Sequence, residues 1–227
     1  MKEYKIVLLD LDETVFDFTK AEEESLKRAF DMAGIFHNEE SRRVYKEINF
    51  RLWGMYEKGL ITSERLRVKR FEDYLEYFNI TGNPEYLNKL YVEGLAECAY
   101  MLEGAEDFVK YLHGKYKICV VTNGIKENQY SRVSKSPLKH LIDAMVVSEE
   151  AGEPKPGRRI FEMAMARSEE NDVSRVVIIG DKLESDILGG INFGCDSIWY
   201  NPMRKENLTD IKPTFEVHSY EEIKKIL

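Results

Sequence analysis

Cysteine is scarce in this chain, at three residues, and Cys98, Cys119 and Cys195 lie far apart with no CxxC pair. That excludes a zinc knuckle and a disulfide framework, which both need paired thiols. Reduced, mostly buried thiols of a cytoplasmic protein are the expectation. No apolar run approaches the length of a bilayer crossing, so no membrane partner is expected. The chain enters an apolar stretch by about Tyr4, so no signal peptide is expected. Positive charge is also in deficit: 33 Lys and Arg stand against 41 Asp and Glu, a net charge of −8. A polymeric nucleic acid needs a basic face, and this balance disfavours one. It leaves room for a local cluster of positive charge around a single phosphate. Internal repeats and low-complexity segments are lacking too.

What is present is a chain of 227 residues, long enough for one large domain or for a domain with a second inserted. Four apolar, β-branched runs stand out: KIVLL (5–9), YKICVV (116–121), AMVV (144–147) and RVVIIG (175–180). A weaker fifth is SIWYN (197–201). Continuous rather than alternating apolar strands predict a sheet covered on both faces. Helical patterns over 104–116, 158–171 and 184–195 alternate with the later strands. The alternation predicts an α/β fold, a doubly wound parallel sheet.

Residues 17–101 break the rhythm. They hold no convincing strand and read as about four helices, over 21–34, 41–59, 63–79 and 83–101. Gly34 is placed to end the first, Ser63 to cap the third and Pro84 to open the fourth. One crossover does not need so much chain. The expected organisation is an α/β core from 1–16 and 102–227 with an α-helical insertion at 17–101.

Chemistry gathers at the strand ends. The first strand runs into DLDET, placing Asp10 and Asp12 one residue apart. In a doubly wound sheet, ligands bind beyond the carboxyl ends of the strands. Two carboxylates crowded there need a cation, a shared proton or an ionic partner. A hard divalent ion such as Mg²⁺ is the natural solution. A turn in which the aspartates cap backbone amides is the alternative. The second strand ends in TNG, where the Thr122 hydroxyl and the amides of Asn123 and Gly124 suit an anion, or simply a turn. Lys155 stands between Pro154 and Pro156 just before a helix, fitted either to clamp a phosphoryl group or to sit in solvent. The fourth strand closes on Gly180 and Asp181, followed by Asp186. Asp181 would complete an oxygen shell around the metal, and Asp186 would support, for instance by orienting Lys155. Turn chemistry alone does not explain four such strand ends; their convergence predicts a site that handles phosphoryl groups.

In motif order, and over nearly the whole chain, these segments resemble the haloacid dehalogenase superfamily. Asp10 and Asp12 match its first motif, Thr122 the second, Lys155 the third, and Asp181 with Asp186 the fourth. The insertion looks like a C1-type cap, and VFDFTKAEEESL resembles the squiggle and flap that lead into one. The resemblance implies a Rossmann-like core and a Mg²⁺-dependent hydrolase. Asp10 would attack phosphorus to form an aspartyl-phosphate; Asp12 would protonate the leaving oxygen and then activate water. The metal would be held by Asp10, the backbone carbonyl of Asp12, and Asp181. The acid/base aspartate argues for a phosphatase or phosphomutase rather than a dehalogenase.

A finer likeness, through AEEESL, RLWGMYEKGLIT (51–62), RF (70–71) and VSEEAGEPKP (147–156), is to the pyrimidine 5'-nucleotidase branch. The implied partner is a small phosphorylated metabolite, a nucleoside monophosphate. Phe18, Trp53, Tyr56 and Arg70 are the cap residues expected to choose it, by stacking on a base or reading a carbonyl edge, although Trp53 and Tyr56 also have the spacing of core residues. The rivals are a sugar-phosphate phosphatase or phosphomutase, and a non-catalytic binding protein on the same scaffold. Two departures stand out: Lys182 after Asp181, where a small polar residue is usual, and Gly157-Arg158-Arg159 after the Lys-Pro pair. A receiver-type signalling domain is set aside, since it has no helical insertion and a different order of acids.

Overall fold

The computed structural model describes residues 2–227. Its centre is a six-stranded sheet: β1 (Ile6–Leu9), β2 (Lys117–Thr122), β3 (Ala144–Val147), β4 (Val176–Gly180), β5 (Asp196–Tyr200) and β6 (Phe215–Val217). The order is β3-β2-β1-β4-β5-β6 and every neighbouring pair is parallel. β1 shows why its sequence is continuously apolar. Val7 and Leu9 face one buried layer while Ile6 and Leu8 face another, and none of the four is more than 1% exposed. A strand covered on both faces has no position left for a polar side chain.

The helices are α1 (Phe18–Ala33), α2 (Glu39–Glu57), α3 (Ser63–Tyr77), α4 (Pro84–Glu97), α5 (Ala105–Leu112), α6 (Lys126–Ser134), the single turn α7 (Ser148–Ala151), α8 (Arg159–Ser168), α9 (Leu188–Phe193) and α10 (Tyr220–Ile226). A π-helical turn, Leu183–Ile187, leads into α9. Gly34 ends α1 in the left-handed conformation (φ 68°) that glycine adopts without strain. The cap of α3 is Thr62, which accepts from the Arg65 amide, and not Ser63, whose hydroxyl is donated to Glu149 across the molecule. β6, α6 and α10 have no counterpart in the sequence reading. They are short, and the buried side of α6 is made of Asn128, Gln129, Arg132 and Val133, so it carries little apolar signal.

Helices α1–α4 form the inserted helical cap and bury a cluster of their own, from Ala21 to Leu95. Its middle is aromatic: Phe30 stacks on Tyr74 at 4.7 Å, and Tyr45 meets Phe71 and Tyr91 at 5.7 and 5.8 Å. Such pairs add about 0.5–1.5 kcal/mol each beyond the area they bury. The cap leaves and rejoins the core through one ribbon. Phe16 pairs antiparallel with Met101, the Asp17 amide donates to the Tyr100 carbonyl (3.0 Å), and the Leu102 amide to the Val15 carbonyl (2.9 Å).

Candidate active site

The strand order reverses between β1 and β4, and the register places Leu9 of β1 opposite Val120 on one side and Ile179 on the other. The carboxyl ends of all three strands therefore open on one crevice at the switch point of the sheet, where this architecture places its ligands. Asp10, Thr122 and Asp181 all line it.

Asp10 is 7% exposed, and its amide donates to the Ile179 carbonyl (3.0 Å) as a last rung of the sheet. Lys155, 1% exposed, brings its ammonium beside it and donates to Asp10 Oδ1 (2.5 Å), Asp186 Oδ1 (2.6 Å) and the Val121 carbonyl (2.7 Å). All three of its protons are thus committed. Burial alone would lower the ammonium pKa, but Asp10 and Asp186 reverse that and hold it above its ordinary value. Burial also pushes the Asp10 carboxyl up to about 7, against the pull of Lys155 and with the repulsion of Asp186 and Asp12. Asp181 is raised well above the carboxylate range by burial and by Asp186 and Asp10.

Two glycines permit close approaches here. A Cβ at Gly180 would lie 2.3 Å from Asp186 Cγ, so glycine at the end of β4 lets Asp186 reach Lys155. A Cβ at Gly124 would lie 2.0 Å from Gln129 Nε2. Gln129 is the hub of the other half of the site: its amide donates to Asp12 Oδ2 (2.7 Å) and to Thr122 Oγ1 (3.1 Å). Arg132, one turn on along α6 and 1% exposed, donates from Nη1 to Asp12 Oδ1 (2.5 Å) and from Nε to the Cys98 carbonyl (3.0 Å). Its guanidinium lies over the Phe16 ring (4.5 Å) and the Phe18 ring (5.7 Å). Neither residue was singled out from the sequence. Gln and Arg three apart on a helix just after a polar strand end was the available signal.

The expected site residues fall into three groups. Asp10, Asp12, Thr122, Lys155, Asp181 and Asp186 meet in the crevice. Asn123 is there too, but its side chain grips the Lys155 backbone, accepting from its amide (2.8 Å) and donating to its carbonyl (3.0 Å). The Gly124 amide turns back to Thr122 Oγ1 (3.1 Å), which removes one of the two amides expected to hold an anion. Phe18, Trp53 and Arg70 line the same chamber, on its cap side. Tyr56 does not. It is 8% exposed, and its hydroxyl hydrogen-bonds Ser148 Oγ at 2.8 Å, tying the end of α2 to the core. Lys182 likewise reaches the cap: its ammonium lies 2.7 and 2.8 Å from the two carboxylate oxygens of Glu57. Arg158 donates to the Asn192 carbonyl, and the Arg159 amide donates to Glu153 Oε2 (2.8 Å), so both serve local packing around α8.

The donor set suits a hard cation. Carboxylate oxygens of Asp10, Asp181 and Asp186 lie within 4.8 Å of one another. Asp186 is engaged by Lys155 and by the Lys182 amide (3.1 Å). Among the described residues the Asp181 carboxylate and the Asp12 carbonyl oxygen receive no hydrogen bond. Carboxylate and carbonyl oxygens left without a donor are what a magnesium-type ion takes as ligands. Above them the crevice widens into a chamber of about 650 Å³ between core and cap. That is within the range of small-molecule sites. No helix among the described residues is long and apolar enough to cross a membrane.

An acid–ammonium cluster at the switch point of a parallel sheet, under an inserted helical cap, defines a capped α/β hydrolase. The chain belongs to the haloacid dehalogenase-like hydrolase family, whose model matches residues 7–200. It is 36% identical to the pyrimidine 5'-nucleotidase YjjG of Escherichia coli over 97% of this chain and 96% of that one. With the pyrimidine 5'-nucleotidase PynA of Streptococcus pneumoniae it shares 32% over 97% and 93% of the two chains. A magnesium-bound crystal structure of the HAD hydrolase YfnB from Bacillus subtilis superposes with a TM-score of 0.93, at 33% identity over 100% of this chain and 99% of that one.

Proposed function

We propose that the protein is a Mg²⁺-dependent phosphomonoester hydrolase of pyrimidine nucleoside 5'-monophosphates. The observation that carries the reading is the Asp10 carboxylate, fixed through Oδ1 by a buried lysine at the floor of the chamber between core and cap. The similarity to two pyrimidine 5'-nucleotidases supplies the substrate class.

Asp10 acts as nucleophile. A carboxylate oxygen bonds to phosphorus, the bond from phosphorus to the ester oxygen breaks, and Asp12 delivers a proton to the departing nucleoside oxygen. Asp12 then takes a proton from water, whose oxygen attacks phosphorus. The Asp10–phosphorus bond breaks and phosphate leaves. Gln129 and Arg132 hold Asp12 by both oxygens, so one of those contacts is released when Asp12 carries its proton. The Thr122 hydroxyl and the positive charge of Lys155 would offset the charge repulsion of an anion attacking an anion. Asp10, Asp181 and the Asp12 carbonyl would hold Mg²⁺, with Asp186 supporting, and the ion would neutralise charge on the transferring group. Residues 17–101 form the cap domain and 1–16 with 102–227 the core, with motion about the Phe16–Met101 ribbon. The relative YfnB is described as showing interdomain movement.

The test is phosphate release with Mg²⁺ from a panel of nucleotides, sugar phosphates and phosphoglycolate, ranked by kcat/KM. A peak at pyrimidine nucleotides, abolished in Asp10→Asn protein, is expected. Asp10→Asn protein with wild-type turnover overturns the mechanism. Activity spread over sugar phosphates removes the nucleotidase assignment, and an isomerised product points to a mutase.

A further inference from the structure

Helix α6 holds the acid/base residue of the proposed reaction and, through the same side chains, the stem of the cap. Gln129 donates to Asp12 Oδ2 (2.7 Å) and Arg132 Nη1 to Asp12 Oδ1 (2.5 Å), so α6 engages both carboxylate oxygens. Arg132 Nη1 also donates to Gln129 Oε1 (3.2 Å), which fixes the two holders against each other. The Asp12 side chain is 26% exposed and that of Arg132 1%, and both residues line the chamber. The acid stays accessible while its holder is enclosed.

Arg132 also grips the stem. Its Nε donates to the carbonyl of Cys98, the residue that closes α4 (3.0 Å). Its guanidinium lies 4.5 Å from the Phe16 ring, in the ribbon, and 5.7 Å from the ring of Phe18, the first residue of α1. It therefore touches the chain both where it leaves for the cap and where it returns. Its neighbours on α6 fasten the same end of α4. Ser131 Oγ and Lys135 Nζ each donate to the Ala96 carbonyl (2.9 Å), and Lys135 pairs with Glu97 at 2.8 Å. Cations that satisfy the open carbonyls of a helix C-terminus are a common structural device, and the exposed Lys135 is one. Arg132 is placed differently. It is buried, and Nη2 has no partner among the described residues. A buried guanidinium with an amine left unpaired is a costly way to stabilise a junction. What its position does provide is a physical link between the acid and the cap.

We propose that Arg132 is a positioning residue that ties the aim of Asp12 to the seating of the cap. With α4 seated on α6, the Cys98 carbonyl and the two rings set the guanidinium, and the guanidinium sets Asp12 Oδ1. With α4 lifted, Nε loses its acceptor, the guanidinium is free to turn, and Asp12 keeps only Gln129. Proton delivery to the departing oxygen is then confined to the seated cap. Asp10 is held from the floor by Lys155, so its attack on phosphorus does not pass through α6. The inference rests on the aspartyl-phosphate mechanism proposed above and adds to it a link between cap and acid.

The experiment reads leaving-group dependence, as kcat/KM with Mg²⁺ on p-nitrophenyl, phenyl and benzyl phosphate. The three esters are similar in size and carry no nucleobase, so a change in substrate recognition moves them together. They differ in how much the departing oxygen needs a proton: nitrophenolate leaves without one, and a benzyl alkoxide does not. In Arg132→Met protein benzyl phosphate is expected to fall by ~10²-fold, the low end of what a positioned acid contributes, and p-nitrophenyl phosphate by ~10-fold or less. Arg132→Lys keeps one of the two contacts and shows the same selectivity more weakly. Ser131→Ala combined with Lys135→Ala leaves Arg132 and Asp12 in place and loosens only α4. It is expected to steepen the leaving-group dependence in the same direction. Equal falls on all three esters in Arg132→Met protein overturn the positioning role and leave a structural arginine. An unchanged leaving-group dependence in the double variant overturns the link to the cap. Wild-type protein inert on every phosphate ester removes the hydrolase mechanism itself, a failure distinct from either of these.

Discussion

The floor and the roof of the chamber handle charge in opposite ways. On the floor, the ammonium of Lys155 is satisfied within the chain, on Asp10, Asp186 and the Val121 carbonyl, and Asp12 is held by Gln129 and Arg132. On the roof, Glu22, Arg70 and Asn49 are buried too, and Asn49 Oδ1 has no hydrogen-bond partner among the described residues. These contacts arrange the floor in advance, although Arg132 Nη2 stays buried without a partner among the described residues. An unsatisfied roof has something left to recognise. On the function proposed above, chemistry belongs to the strand ends and choice to the helices.

Lys155→Met breaks the comparison most severely. It leaves two buried carboxylates without their cation, so unfolding is expected to become easier by about 3–5 kcal/mol. Turnover should fall at least ~10²-fold on every phosphate ester alike. Denaturant titration and the substrate panel read these out, and a loss confined to nucleotides would contradict the division of labour.

A smaller effect comes from the metal. Asp10, pushed up to about 7 by burial, and Asp181, raised in the same direction, favour their protonated forms in the fold. Their contribution to the stability of metal-free protein is complete below their unfolded pKa values, near 4. It is lost as pH rises through about 7 for Asp10. A divalent ion replaces the proton. The stabilisation on adding Mg²⁺, followed as a rise in Tm, should therefore grow from pH 5 to pH 8, reaching about 2–3 kcal/mol of free energy near a hundredfold excess over Kd. A shift that shrinks with rising pH would oppose the acidic-site reading.

The smallest expected effect sharpens the boundary between floor and roof. Tyr56→Phe removes the hydroxyl that meets Ser148 and costs about 1 kcal/mol. It should move KM for all substrates together and leave their ranking unchanged. A re-ordered ranking would return Tyr56 to the recognition surface.

These contrasts explain what the sequence revealed. The floor was legible because each of its groups follows directly on an apolar strand: Asp10, Thr122 and Asp181 announce themselves by ending a run of buried residues. Lys155 was marked by its flanking prolines. Gln129 and Arg132 escaped notice because α6 buries a polar side, which reads as a loop. On the roof, helical periodicity says that a residue is inward-facing but not what it faces. Trp53 and Tyr56 share a spacing, yet one lines the chamber and the other bolts α2 to the core. Glu22 sits in an acidic run, AEEESL, that looks like solvated surface. Only the packing of α1 against the rest of the cap shows that its carboxylate is enclosed.

The ribbon through which the cap departs and returns carries a consequence for ancestry. Because Phe16 and Met101 are neighbours, everything between them is a closed excursion whose endpoints already touch. Lengthening, shortening or exchanging that excursion leaves the spacing of β1 and β2 as it was, and longer closed loops cost only slightly more chain entropy. Descent could therefore rewrite the roof many times over one unaltered floor, acquiring new substrates without reinventing the reaction.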